Sequence, residues 1–261
     1  MTGRFADRVC LITGSTGIAA STAVALAEEG GKVFIASQTA DHARALAERM
    51  GGESAWQAAD LTSEADVESV VNACIGQFGR IDCVYNVAGI SARRFGDGAL
   101  HEMTLDGWRA AMDANVTSQF LVCRATVRQM LLHEPGASGQ RGVILNMGSV
   151  IARHPVARHF ETHGYAASKG AIESLSRSIA VYYAEHGIRV NVIAPGLVAT
   201  PMSERAQGND EIMDFVARKQ PLAEGAIQPN ELVGAALYLL SDDSRMVSGQ
   251  VVTVDGGWTL S

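Results

Sequence analysis

The sequence lacks an excess of positive charge and has no long apolar run. Its 261 residues include 21 lysines and arginines against 28 acidic residues, which gives a net charge of −7. This balance argues against nucleic acid or an anionic membrane as a partner. No apolar run approaches transmembrane length, and Met1 to Arg8 contains no hydrophobic signal core. We therefore expect a cytoplasmic protein.

Cysteine is also scarce. The four cysteines are Cys10, Cys74, Cys83 and Cys123, which form no Cys-x-x-Cys pair and lie in apolar segments. This pattern favours reduced thiols that pack in the core. Repeats, linkers and low-complexity segments are missing as well. The sequence therefore predicts one domain over residues 1–261.

What is present is an alternation of short apolar runs with helical periodicity. The runs predict strands at residues 9–13, 33–37, 56–59, 81–87, a run ending near 146, 189–193 and 250–254. The segments between them predict a first helix that ends at residue 29 and further helices at residues 41–50, 64–78, 105–132, 165–186 and 230–240. Strands that are apolar on both faces and separated by helices are typical of a covered parallel sheet. The predicted fold is α/β, a single doubly wound Rossmann-type domain with about seven strands.

A glycine turn joins the first strand to the first helix. Its residues are Gly14, Ser15, Thr16, Gly17 and Ile18. Glycines at this point let backbone N–H groups approach a pyrophosphate at the helix N-terminus. Glycines are also common in turns for steric reasons alone. The strand–turn–helix context favours nucleotide binding.

The end of the second strand is where a dinucleotide-binding protein usually carries an acid. Here Ser37 and Gln38 stand instead, so there is neither an acid for a ribose 2′-hydroxyl nor an arginine for a 2′-phosphate. Asp60 and Leu61, after the third strand, predict an adenine contact. Their alternative interpretation is a helix N-cap region.

Three polar residues follow the fifth strand and open the next helix. The strand ends close to Ser149, and Tyr165 precedes Lys169 by four positions, so the last two share a helix face. An ammonium at ~4 Å favours the phenolate by about 4 kcal/mol, roughly three pKa units, before burial acts in the opposite direction. The alternative is an exposed tyrosine and lysine on an amphipathic helix. Ligands bind beyond the carboxyl ends of parallel strands, where these residues can meet.

Taken in order, these motifs resemble the short-chain dehydrogenase/reductase family, in particular its single-domain branch that is similar to 3-oxoacyl-ACP reductases. The resemblance extends from the first strand to the C-terminus. Further matching residues are Asn86-Val87-Ala88-Gly89, Asn115, Pro195-Gly196 with Thr200, and Val254-Asp255-Gly256-Gly257. The resemblance implies an NAD(P)-dependent enzyme that interconverts a secondary alcohol and a ketone.

The resemblance also implies roles for individual residues. Tyr165 would exchange a proton with the substrate oxygen, and Ser149 would polarise that oxygen. Lys169 would lower the tyrosine pKa and bind the ribose, while Asn115 would hold a water in a proton relay. The alternative for Asn115 is a polar residue that kinks a long helix. Cofactor contacts are implied for the glycine turn, Ser37, Gln38, Asp60, Leu61, Asn86, Ala88, Gly89, Tyr165, Lys169, Pro195, Gly196, Val198 and Thr200.

The resemblance further implies a homotetramer, in which the helices after Leu105 and Tyr165 form one interface and the C-terminal strand region another. Residues 196–226, with Met202, Met213 and Phe215, predict a mobile lid that supplies apolar substrate contacts. The implied partner is a small alcohol or ketone, whose identity stays open among oxoacyl thioesters, sugars, polyols, hydroxy acids and steroids.

Three features depart from the family pattern. Only two residues separate Gly14 from Gly17, and Ala19 stands where the family usually has a third glycine. Ser37 and Gln38 replace the residues that usually select the cofactor, and the lack of a cation there gives a slight preference for NAD over NADP. The segment between Ser149 and Tyr165 is a few residues longer than usual.

That longer segment is rich in arginine and histidine. We hypothesise that Val150, Arg153 and His159 of this segment, with Arg93 and Met202 from other loops, contact the substrate, and that the arginines bind a carboxylate or phosphate. The other basic side chains of these loops are Arg94, His154, Arg158 and His163. The alternative is a solvated or subunit-contacting loop. The histidine spacings match no zinc motif, so no metal is predicted.

Two other functions remain open at the level of sequence. The altered glycine turn allows a non-catalytic nucleotide-binding sensor or scaffold on the same fold. A dehydratase or epimerase on this scaffold is the second alternative.

Overall fold

One parallel sheet forms the centre of the molecule. The computed structural model describes residues 3–136 and 138–261. The strands are β1 Val9–Thr13, β2 Lys32–Ser37, β3 Ser54–Ala58, β4 Cys83–Asn86, β5 Gly142–Met147, β6 Ile188–Pro195 and β7 Val251–Val254. They lie in the order β3-β2-β1-β4-β5-β6-β7, and all neighbouring strands are parallel. The predicted α/β class and seven-stranded sheet are confirmed.

Helices cover both faces of this sheet. They are α1 Gly17–Glu28, α2 Ala40–Met50, α3 Glu64–Phe78, α4 Leu105–Met112, α5 Ser118–Met130, α6 His163–Tyr183, α7 Glu204–Gln207, α8 Asp210–Lys219 and α9 Val233–Leu240. Side chains such as Ser63 and Thr104 accept hydrogen bonds from the first turn of α3 and α4, at 3.3 and 3.0 Å. Among the described residues, no helix combines the length and apolar character needed to cross a bilayer.

Alternate residues of the central strands contribute to two separate cores. Cys10 and Ile12 of β1 pack towards the side of α1 and α9, whereas Leu11 packs towards α3 and α5. Because helices cover both faces, β1, β4, β5 and β6 are buried throughout. The four cysteines are free and buried in this interior, as the sequence predicted.

Two parts of the chain differ from the sequence-based expectation. The helix predicted over residues 105–132 is interrupted by a π-helical segment, Asp113–Thr117, between α4 and α5. The region predicted as a long loop after β6 contains α7 and α8. Short α8 carries its apolar residues Ile212 and Val216 one turn apart, and Asn209 caps it by accepting from the Ile212 N–H at 3.1 Å. Its period was therefore present in the sequence, and the expectation of a loop over these residues was wrong.

The chain reverses its direction of winding between β1 and β4, and this creates a crevice at their carboxyl ends. The side-chain oxygen of Thr13, the last residue of β1, accepts from the backbone N–H groups of Val87 and Ala88 at 3.0 and 3.1 Å. These two bonds hold the segment after β4 beside the turn after β1. The two backbone segments at the bottom of the crevice are therefore held in place relative to each other.

Candidate active site

A cleft of about 940 Å³ lies at this edge of the sheet. Segments that follow β1, β2, β3, β4, β5 and β6 all contribute to it, together with the start of α6. The predicted cofactor residues that line it are Gly14, Ser15, Thr16, Ile18, Ser37, Gln38, Asp60, Leu61, Ala88, Gly89, Tyr165, Lys169, Pro195, Gly196, Val198 and Thr200. The motifs recognised separately in the sequence thus meet in one place.

The shortened glycine turn still forms a tight bend against α1. Gly14 and Gly17 have φ values of 92° and 53°, in the left-handed region that favours glycine. A Cβ atom on Gly17 would lie 2.7 Å from Cγ2 of Thr200, so a side chain has no room. At the N-terminus of α1, the backbone of the turn thus lies close to the segment after β6. This is a cradle of the kind that suits a pyrophosphate.

The far end of the cleft lies beyond β2 and β3. Ser37 and Ser15 share a hydrogen bond between their hydroxyls at 2.8 Å, and both are buried. Gln38 and His42 also line this end, and the sequence analysis did not identify His42. Asp60 accepts from the backbone and hydroxyl of Thr62 at 2.9 and 2.8 Å. The Asp60 side chain therefore stabilises its own turn and also lines the cleft. The N-cap residue of α3 is Ser63.

Asn86 does not line the cleft, contrary to the predicted cofactor contact. Its side chain is fully buried and donates to the side-chain oxygen of Asn146 at 2.8 Å. Asn146 in turn donates to the hydroxyl of Ser176 at 2.9 Å. Because β4 and β5 are adjacent, the two amides meet across the strands and fasten α6 to the sheet. Among the predicted cofactor residues Gly17 also lies outside the lining, directly beside Ser15 and Thr16.

Asn115 lies in the π-helical segment, behind the cleft and fully buried. Its side-chain oxygen accepts from the N–H of Ile90 at 2.8 Å. Its amide donates to the carbonyl of Ile90 at 3.1 Å and to the hydroxyl of Ser168 at 2.9 Å. Both amide hydrogens are therefore used within the protein. A Cβ on Gly89 would lie 2.6 Å from the Asn115 oxygen and 3.7 Å from the amine of Lys169, so the three residues are neighbours.

Ser149, Tyr165 and Lys169 all face the cleft. Ser149 follows β5 and caps a short 3₁₀ turn, Val150–Ala152, by accepting from the N–H of Ile151 at 3.4 Å. Lys169 is 2% exposed, and its amine donates to the carbonyl of Met147 at 2.9 Å. The same amine lies 5.5 Å from the centre of the Tyr165 ring.

Burial changes the pKa values of Tyr165 and Lys169 more than the attraction between the two side chains does. Burial raises the pKa of Tyr165, and hydrogen bonding by Ser149 acts in the opposite direction. Burial lowers the pKa of Lys169 to about 7. The sequence-based estimate of a tyrosine pKa near 7 rested on a charged amine close to the phenol. In the cofactor-free protein, burial disfavours that charge.

An aspartate that the sequence analysis missed orients Tyr165. The carboxylate of Asp97, 4% exposed, accepts from the backbone N–H groups of Gly164 and Tyr165 at 2.9 and 2.8 Å. Thr162, the N-cap residue of α6, makes no such bond with its side chain. Asp97 therefore caps α6 from a distant loop and positions its first turn. No local pattern around residue 163 could have revealed this partner.

The predicted substrate residues divide into two groups. Arg93, Val150 and Met202 line the cleft, with Arg205 and Trp258 as residues that the sequence analysis missed. Arg153 does not line it, because its guanidinium pairs with the buried carboxylate of Glu173 on α6 and borders a separate cavity of about 240 Å³.

His159 does not line the cleft either. Its imidazole packs on Phe215, with ring centres 5.4 Å apart, and lies 3.9 Å from the carboxylate of Glu211. Of the other basic residues, Arg94 lines the cleft, whereas His154, Arg158 and His163 do not. His163 instead bonds to the carbonyl of Gly98 at 2.8 Å.

Only part of the predicted lid faces the cleft. Leu197, Pro201, Met202 and Ala206 line it, whereas Phe215 packs edge-on against Trp258 with centres 5.9 Å apart. Gln220, fully buried, bonds to the backbone at both ends of residues 197–225. Its amide donates to the carbonyls of Gly225 and Leu197 at 2.7 and 3.2 Å, and its oxygen accepts from the N–H of Leu197 at 2.5 Å. The segment is therefore anchored from within.

The family model described as enoyl-(acyl carrier protein) reductase matches residues 12–259. A structure titled as a short-chain type dehydrogenase/reductase from Mycobacterium marinum superposes with a TM-score of 0.85 at 30% identity, covering 98% of this chain and 97% of the other. The chain belongs to the short-chain dehydrogenase/reductase family. As a member of this family it is an oxidoreductase that acts on hydroxyl or ketone groups, and the family uses NAD(P) as cofactor.

Two curated dehydrogenases are similar to this short-chain dehydrogenase/reductase over nearly their whole length. Cis-4-hydroxycyclohexanecarboxylate dehydrogenase from Sinomonas cyclohexanicum is 34% identical, with 98% of each chain covered. 2,5-Dichloro-2,5-cyclohexadiene-1,4-diol dehydrogenase from Sphingobium indicum is 33% identical, with 94% of each chain covered. The oxidoreductase class predicted from the motifs is thereby confirmed.

Proposed function

We propose that this chain interconverts a secondary alcohol and a ketone, with Tyr165 as the general acid/base. The observation that carries the proposal is the convergence of Ser149, Tyr165 and Lys169 on one cleft with the glycine turn. The Tyr165 hydroxyl gives a proton to the substrate oxygen or takes one from it. The Ser149 hydroxyl donates a hydrogen bond to the same oxygen and thereby stabilises its developing charge.

The cleft fits a nicotinamide dinucleotide, because the glycine cradle, the strand ends and Lys169 are continuous in it. The residues that would hold the cofactor are the turn at Gly14 to Ile18, the 37–38 and 60–61 positions, Ala88, Gly89 and residues 195–200. When bound, the cofactor supplies or accepts the hydride. Lys169 would bind its ribose, and a water at the backbone of Asn115 would connect that lysine to solvent. Because Ser37 and Gln38 offer no cation for a 2′-phosphate, we favour NAD over NADP.

The substrates named for the two curated relatives are secondary alcohols on a six-membered ring. A cleft lined by Phe160, Met202 and Trp258 beside polar groups suits a ligand of this kind. We propose small ring alcohols and their ketones as the first compounds to test.

The test follows cofactor binding and turnover separately. NADH and NADPH are titrated against the quenching of tryptophan fluorescence, since Trp258 lines the cleft. Ring alcohols are then assayed with wild type and with Tyr165→Phe. We expect tight binding of one cofactor in both proteins, and turnover at least 100-fold slower in the variant. Binding without turnover of any alcohol would favour a nucleotide sensor, and an unchanged rate in Tyr165→Phe would remove the tyrosine from the mechanism.

We propose in addition that the protein is a homotetramer. Leu105, Trp108 and Phe120 are exposed apolar side chains on α4 and α5, and Val181 and Tyr182 are exposed on α6. Such surface supports association through these helices. Leu260, 93% exposed at the C-terminus, supports a second contact there.

A further inference from the structure

Two arginines converge on one backbone carbonyl at the cleft. A terminal nitrogen of Arg93 donates to the carbonyl of His159 at 3.0 Å, and a terminal nitrogen of Arg205 donates to the same oxygen at 2.9 Å. Because both nitrogens bond to one atom, the two guanidinium groups are close neighbours. Both arginines also line the cleft that holds Ser149 and Tyr165.

The backbone is bent to make this arrangement. His159 has a φ of 71°, and Ala92, directly before Arg93, has a φ of 58°. Left-handed conformations are unfavourable for residues other than glycine. Such outliers cluster at ligand sites. Here one outlier belongs to the carbonyl that both arginines share, and the other precedes one of the two arginines.

The positive charge of the pair is poorly balanced. Within residues 3–136 and 138–261, no carboxylate lies within 4.0 Å of Arg205, and Arg93 has only Glu161 at 3.9 Å. Burial and the charge of Arg205 lower the pKa of Arg93. Arg153, by contrast, is paired with Glu173. In a chain of net charge −7, two neighbouring guanidiniums in the cleft whose one ion pair among the described residues is the 3.9 Å contact of Arg93 with Glu161 form a site for an anion.

The position of the pair separates it from the cofactor cradle. Arg93 follows β4, Arg205 lies on α7, and His159 belongs to the segment between Ser149 and Tyr165. The pyrophosphate cradle is formed instead by the turn between β1 and α1. Asp97, whose charge acts on Arg93, accepts a hydrogen bond from the N–H of Tyr165, so the pair lies towards the proposed position of the substrate oxygen.

We propose that Arg93 and Arg205 bind a carboxylate of the substrate, so that the alcohol is a hydroxy acid and the ketone an oxo acid. This rests on the proposed function for the reacting carbon, whereas the anion site itself does not require turnover. Each guanidinium spends one N–H on His159 and keeps others for the ligand. A carboxylate accepts such donors in pairs, as arginine geometry favours.

The test compares a carboxylate with a neutral ligand of the same shape. Cyclohexanecarboxylate and cyclohexanecarboxamide are titrated by calorimetry into the protein saturated with whichever nicotinamide cofactor it binds, or into the free protein if it binds neither. The variants are Arg93→Gln and Arg205→Gln. The matched control is Arg158→Gln, because Arg158 is exposed in the same segment as His159 and does not line the cleft. Turnover of the corresponding 4-hydroxy compounds is measured in parallel.

We expect wild type and Arg158→Gln to prefer the carboxylate by 10-fold or more, and each cleft variant to lose about 10-fold in carboxylate affinity only. Equal losses for both ligands, or no preference in wild type, would overturn the proposal. Weaker NADH or NADPH binding in the cleft variants would assign the pair to the cofactor and overturn it too. Inorganic phosphate that binds more tightly than the carboxylate would overturn the choice of anion. Selective carboxylate binding without turnover would support the site and contradict the proposed function.

Discussion

The amine of Lys169 donates a hydrogen bond to the backbone carbonyl of Met147 at 2.9 Å. Met147 ends β5, two residues before Ser149, and Lys169 lies one turn beyond Tyr165 on α6. This bond therefore ties the strand that presents the serine to the helix that presents the tyrosine. The Lys169 amine is buried, and among the described residues no carboxylate lies within 4.0 Å of it.

Lys169 should make the stability of the cofactor-free protein depend on pH. Burial lowers its pKa from 10.5 to about 7. Between these values the unfolded chain binds more protons, so the free energy of unfolding rises with pH by up to about 1.4 kcal/mol per unit. This contribution is lost as the pH falls to about 7. From pH 7 to 9, urea unfolding should shift by about 2 kcal/mol in favour of wild type over Lys169→Met.

The control for this experiment is Lys32→Met, in which the lost amine pairs with Glu53 at 3.2 Å near the surface. Its difference from wild type should stay constant over the same interval. A constant difference for Lys169→Met as well would show that burial does not depress the protonation of this amine.

Asn115→Ala should destabilise the protein and lower its activity. The change removes three hydrogen bonds and leaves the N–H of Ile90 without its partner in a partly buried position. We expect a loss of about 1–3 kcal/mol in the free energy of unfolding. Ser168→Ala, which removes one bond to Asn115 and one to the carbonyl of Tyr165, should lose less. If the two variants lost similar stability in thermal unfolding, the contribution would come from the hydroxyl of Ser168 and not from the bonds of the Asn115 amide to Ile90.

Gln220→Leu should release the segment after β6. The variant keeps a similar volume but loses the bonds to Leu197 and Gly225. We expect faster proteolytic cleavage within residues 197–225 and a higher KM, since Met202 and Arg205 of this segment line the cleft. Limited proteolysis with and without cofactor measures the release. Gln220→Glu keeps the acceptor and should be intermediate, and cleavage at the wild-type rate in Gln220→Leu would mean that other contacts hold the segment.

Gln38→Arg should improve the binding of NADPH. Gln38 lines the end of the cleft beyond β2, and an arginine there can pair with a 2′-phosphate. We expect the NADPH dissociation constant to fall about 10-fold while that of NADH changes little. Gln38→Met tests length without charge and should change neither. An equal effect on both cofactors would mean that residue 38 does not face the 2′ position.

Phe120→Asp should break one proposed subunit contact, and Leu260→Asp the other. Light scattering should give a mass of four times 27.5 kDa for wild type. Each single variant should give half of the wild-type mass, because desolvating a carboxylate within an apolar contact is costly. A double variant should be monomeric. If Phe120→Asp kept the full mass, the exposed face of α4 and α5 would not be an interface.

The fold could be predicted from the sequence because it depends on local periodicity. Runs that are apolar on both faces specify strands buried in a parallel sheet, and their alternation with helices specifies the winding. The π-helical segment at Asn115 and the short helix α8 were missed. The first depends on tertiary bonds to Ile90 and Ser168. The second carries Ile212 and Val216 at helical spacing, so the expectation of a loop there was wrong.

The sequence by itself determined the sheet, the glycine turn and the pairing of Tyr165 with Lys169, since each depends on spacing within one element. Ser149 was placed with them because it follows the carboxyl end of a parallel strand. Only the tertiary structure decided which side chains face the cleft. Asn86 points to Asn146, Arg153 pairs with Glu173, Asp97 caps α6, and Arg205 joins Arg93 at His159. Each of these contacts joins residues from different elements. Such pairings follow from how helices and loops pack on the sheet, and no local pattern records them.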